Sequence, residues 1–126
     1  MRGLRVGAIA GSTNMALTET FAGAQPVAFS GDSDDVFGDM LSALRSGAVD
    51  AVVDDDVALV PLADDRDLEI GFTVATGNRW GIAVSKHREQ LRAELDGALE
   101  RVAADGRLAS AWTHWMPTLP YPFSTA

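Results

Sequence analysis

No cysteine occurs among the 126 residues, so neither a disulfide nor a thiolate metal site can form. Histidine is almost as scarce. His87 and His114 stand in unrelated contexts, with no second ligand at coordinating spacing, and no metal or other cofactor is expected. Cations are few: lysine occurs once, at Lys86, and nine scattered arginines face 18 acidic residues, for a net charge of −8. Phosphate backbones are bound by clustered cations, so this balance argues against a nucleic-acid partner. Long apolar runs are also missing. Residues 6–10 and 49–53 are strand-sized and fall far short of the ~20 residues a bilayer span needs, so no membrane insertion is expected. Met1-Arg2-Gly3 leads directly into a strand pattern, and no signal peptide is read there. The absence of cysteine leaves the redox compartment open.

What is present reads as an ordinary globular protein, 47% hydrophobic and 22% charged. Residues 4–10 mix small and β-branched side chains and predict a buried strand. Gly11-Ser12-Thr13-Asn14 is a turn rich in helix-capping types, and Leu17 and Phe21 follow at i, i+4 spacing in a short helix. A second strand is predicted at residues 26–29. Val36, Phe37, Met40, Leu41 and Leu44 then form one apolar stripe, opened by acidic capping residues and closed by Arg45 and Gly47. A strand at residues 49–53 ends in Asp54-Asp55-Asp56. Further strands are predicted at residues 68–75 and 80–85. Two helical stripes follow: Leu91, Leu95, Leu99 and Val102, then Leu108, Trp112 and Trp115 before Pro117. The order strand, helix, strand, repeated, predicts an α/β fold with an open, mostly parallel sheet and helices on both faces. Residues 1–78 read as the α/β domain and residues 79–126 as a returning strand with a C-terminal helical segment.

Four stretches resemble the second lobe of the family 3 bacterial extracellular solute-binding proteins, the polar amino-acid-binding components of ABC transporters. Gly3-Leu-Arg-Val-Gly-Ala-Ile-Ala-Gly-Ser-Thr13 resembles the opening strand and its Gly-Ser-Thr loop. Leu41-Ser-Ala-Leu-Arg-Ser-Gly-Ala-Val-Asp-Ala-Val-Val-Asp-Asp55 resembles the helix-Gly-strand segment that ends in a ligand-facing Asp. Trp80-Gly-Ile-Ala-Val-Ser-Lys86 resembles the strand that returns through the hinge. Ala103-Ala-Asp-Gly-Arg-Leu-Ala-Ser-Ala-Trp-Thr-His-Trp115 resembles the last two helices with their Asp-Gly break. The resemblance implies one lobe of a type II periplasmic binding protein fold. Most of the other lobe, with the arginine that clamps the ligand carboxylate, has no counterpart here. Neither does the tail Leu119-Pro-Tyr-Pro-Phe123. Family members work outside the cytoplasm.

The candidate ligand-binding residues are Gly11, Ser12, Thr13, Asn14, Asp54, Asp55 and Trp80. Free amides and hydroxyls of the Gly11-Ser12-Thr13-Asn14 loop suit a carboxylate, but the same residues also suit a plain helix cap. The Gly-Lys-Thr ending of a phosphate loop is missing. The resemblance implies that Asp55 takes the α-ammonium of an amino acid, with Asp54 beside it at the rim; the competing reading is that the triplet caps a helix starting near Val57. Trp80 is either a pocket wall or packing. No serine or aspartate is placed to build a catalytic triad around either histidine, and no catalytic residue is assigned. The expected ligand is a small zwitterion or carboxylate such as a polar amino acid, held between closing lobes. The expected partner is a second copy of the chain, or another chain supplying the missing lobe. The alternative is an enzyme or biosynthetic accessory protein derived from the same fold, dehydratase-like and acting on a small carboxylic acid.

Overall fold

A computed structural model describes residues 1–123, which divide into two compact units, residues 1–71 and the remainder from Phe72. The first unit is α/β. Strand β1 (Arg5–Ile9) lies at the centre of a three-stranded parallel sheet, between β2 (Gln25–Phe29) and β3 (Ala51–Val52). Its register runs from Arg5 opposite Gln25 to Ile9 opposite Phe29 on one side, and pairs Val6 with Ala51 and Gly7 with Val52 on the other. The third strand is regular over two residues only. Its ladder continues at both ends, because the Asp50 amide donates to the Arg5 carbonyl at 2.8 Å and the Val53 amide to Gly7 at 2.9 Å.

The chain leaves β1 for β2 through α1 (Thr13–Glu19), then returns past β1 to β3 through α2 (Val36–Arg45). The two crossovers run in opposite directions, and right-handed connections then put α1 and α2 on opposite faces of the sheet. The core follows from that layering. Val6, Ala8, Met15, Met40, Leu41 and Val49 are buried, and Thr18, the one buried polar side chain among the described residues, donates to the Asn14 carbonyl at 2.8 Å. Close packing favours glycine at position 7: a Cβ there would stand 2.7 Å from Cε2 of Phe29 on the neighbouring strand, and that ring would have to shift. Asp35 caps α2 by accepting from the Gly38 amide at 3.0 Å, and Gly47, at φ +72°, supplies the left-handed residue beyond its end. A short helix α3 (Asp56–Leu59) and a 3-10 turn (Val60–Leu62) complete the unit.

The second unit contains α4 (Glu89–Ala104) and α5 (Arg107–Trp115), joined through Gly106 at φ +80°. Neither helix has a fully buried residue, and Leu99 and Trp115 are exposed. Among the described residues no helix is long and apolar enough to cross a membrane.

Two expectations are corrected. Residues 68–75 and 80–85 form no strand, and Ile70, Phe72, Val74, Trp80 and Ile82 are all exposed. Alternation specifies which side chains share a face, but a strand also needs a neighbour for its amides and carbonyls. Among the described residues the sheet ends at its three strands, and none of them pairs with these segments.

Candidate functional site

In an open parallel sheet a ligand sits outside the carboxyl ends of the strands, at the point where the connections switch direction. With order β2-β1-β3 that point lies between β1 and β3. The two loops leaving it are Gly11-Ser12-Thr13-Asn14 and Asp54-Asp55-Asp56, so the topology places both candidate stretches at one edge.

The first loop is shaped by its own hydrogen bonds. Gly11 takes φ +70°, which turns the chain out of β1. Ser12 is the N-cap of α1: its hydroxyl accepts from the Met15 amide at 3.0 Å and donates to the Ile9 carbonyl at 2.7 Å. The helix-capping reading of this residue is therefore observed. The Ser12 amide is also engaged, donating to Ile9 at 3.2 Å. The amides of Thr13 and Asn14, in the first turn, stay without a protein acceptor among the described residues.

The second loop is tied to the first by one bond. Asn14 Nδ2 donates to Oδ1 of Asp54 at 3.0 Å, and the same oxygen accepts the Asp55 amide at 2.8 Å. Burial raises the Asp54 carboxyl above the usual aspartate range, and the nearby Asp55 charge adds to that. The bonds from the Asp55 amide and Asn14 pull it back. Asp55 differs in every respect. It is exposed and stands at the N-cap of α3 without making a side-chain cap bond. Among the described residues no hydrogen bond or ion pair involves its carboxylate. The capping reading of the triplet thus leaves its side chain unspent.

Trp80 belongs to the second unit, where it is 54% exposed and packs against Trp112 and Phe123, with ring centroids at 6.1 and 6.3 Å. Two shallow depressions on that unit, one along Ala109, Ser110, Thr113 and His114 and one along residues 87–91 and Glu94, include none of the candidate residues. Among the described residues no group of His, Asp or Glu could hold a metal ion. The Asn14–Asp54 bridge has no signature in the sequence, because its partners lie forty positions apart; only the strand order brings them together.

No family model matches the chain. Over 85 residues, 67% of its length, it is 28% identical to the ABC transporter glutamine-binding protein GlnH of Bacillus subtilis. Those residues cover 31% of that protein, so the chain spans about a third of its relative. The likeness is to solute-binding proteins at the level of the family, and the α/β sheet described above is consistent with part of one such lobe.

Proposed function

We propose that the chain is an amino-acid-binding module carrying one side of a two-sided site. The observation that carries this reading is the uncommitted Asp55 carboxylate at the sheet's switch point, beside a loop held to it by the Asn14–Asp54 bond. A zwitterion needs an anion for its ammonium and donors for its carboxylate. Asp55 offers the first, and the free Thr13 and Asn14 amides offer the second. Asp54, beside Asp55 at the rim, holds the two loops together. The name of the Bacillus relative makes glutamine the first ligand to try.

In this reading residues 1–78 form the ligand lobe, and residues 79–126 are a C-terminal helical segment. A complementary lobe supplies the other side of the site, and closure over the ligand is what a transporter would sense. An acid–base enzyme is the weaker reading. The carboxyl with the raised pKa, Asp54, already accepts two hydrogen bonds, one of them from Asn14.

Calorimetry with a panel of amino acids, run beside light scattering, tests the proposal. Contacts from one lobe alone leave affinity weak, each ~1.4 kcal/mol of missing contact costing about tenfold. Glutamine is expected to bind at or above the millimolar range, and binding is lost in Asp55→Asn. Micromolar binding by a monomer, or full binding by the variant, contradicts it.

A further inference from the structure

The C-terminal tail, for which the sequence offered no role, is seated on aromatic side chains of its own unit. The indole Nε1–H of Trp112 donates to the carbonyl of Leu119 at 3.0 Å. That carbonyl belongs to the Leu119–Pro120 bond, whose nitrogen bears no proton, so its oxygen is the only hydrogen-bonding atom of the peptide group. Beyond it, Tyr121 meets Trp112 edge-on at 6.4 Å, and Phe123 meets the same ring edge-on at 5.8 Å and 83°. Phe123 also stands edge-on to Trp80 at 6.3 Å, and Trp80 lies tilted against Trp112 at 6.1 Å. These are the separations at which ring quadrupoles favour edge-to-face contact.

The chemistry is that of proline-rich recognition. Prolines stiffen the segment before it binds, aromatic side chains supply the surface, and a side-chain donor reads a backbone carbonyl. Residues 117–123 contain Pro117, Pro120 and Pro122, three of the five prolines in the chain. Trp115, which the tail does not touch in any of these contacts, is 74% exposed, whereas Trp112 is half-buried.

We propose that Trp80 and Trp112 form a docking face for a proline-rich aromatic segment, and that residues 117–123 occupy it in cis as a strap. The strap covers part of the face, chiefly at Trp112, while Trp80 stays 54% exposed, and the face is fully open to a competing proline-rich segment when the strap lifts. The inference concerns the second unit alone and does not depend on the amino-acid-binding reading of the first.

The test uses the full chain carrying Trp115→Phe, so that fluorescence reports Trp80 and Trp112. The strap is released in two ways, by Tyr121→Ala with Phe123→Ala and by truncation after Met116. Both are expected to shift emission to the red and raise the acrylamide quenching constant, with far-UV helix content unchanged. A peptide of residues 117–123 is expected to reverse the shift in the truncated chain at about millimolar concentration, the scale set by a short tether. Unchanged quenching overturns the proposal, as does a peptide without effect. Loss of α4 and α5 helicity on truncation also overturns it, because the tail would then be core and not cover.

Discussion

Ser12 and Asp55 show how the same residue types divide between structure and ligand. The Ser12 hydroxyl spends its proton on Ile9 and a lone pair on the Met15 amide, so it serves the helix first. Asp54 is spent in the same way on Asn14 and the Asp55 amide, and Asp55 is left over. From the sequence alone all three were candidates for both roles, because capping and ligand contact draw on the same oxygen atoms. A different aspartate carries a pH-dependent share of stability. Asp50 accepts from the Arg5 guanidinium at 2.8 and 3.0 Å and from its amide at 2.8 Å, and these bonds hold its carboxyl down at about 2. A carboxyl depressed on folding contributes stability above its unfolded value and loses it as pH falls towards the folded one. Both side chains are well exposed, so screening keeps the contribution modest. Asp50→Asn is expected to lower the urea midpoint at neutral pH, with the gap to the parent closing between the ordinary carboxylate range and about pH 2. A gap that stays constant down to that pH contradicts the assignment.

Among the elements, those whose signal is local were legible. The stripe from Val36 to Leu44 became α2, with Met40 and Leu41 buried, because periodicity, an acidic cap and Gly47 all point to one helix with one buried face. The strands of the sheet were legible as short apolar runs between turns, although only β1 is buried on both sides. Residues 68–75 misled because their alternation, Leu68, Ile70, Phe72, Val74, is strand-like whether or not a neighbouring strand is at hand. The docking of the tail on Trp112 was not legible, since it depends on tertiary contact that no local pattern announces. The sheet itself is tested at Gly7, whose small size no sequence pattern demanded. Gly7→Ala drives a methyl against the Phe29 ring and is expected to cost about 1–3 kcal/mol of unfolding free energy. Denaturation unchanged from the parent would mean that β1 and β2 are not packed as described.

At the scale of the whole molecule, the chain spans 31% of its Bacillus relative and holds two compact units. The α/β architecture of the first unit follows from strand order, and strand order alone assembles the candidate edge from two loops bridged by Asn14 and Asp54, forty residues apart. The central claim is that this edge, between β1 and β3, is where a small zwitterion binds. Titration of the isotopically labelled chain with glutamine, followed by amide NMR, addresses it most directly, since even millimolar binding moves resonances. The account predicts shifts concentrated at Gly11, Ser12, Thr13, Asn14, Asp54 and Asp55, abolished by Asp55→Asn. Shifts confined to other parts of the chain, or an unperturbed spectrum at saturating amino acid, would contradict it.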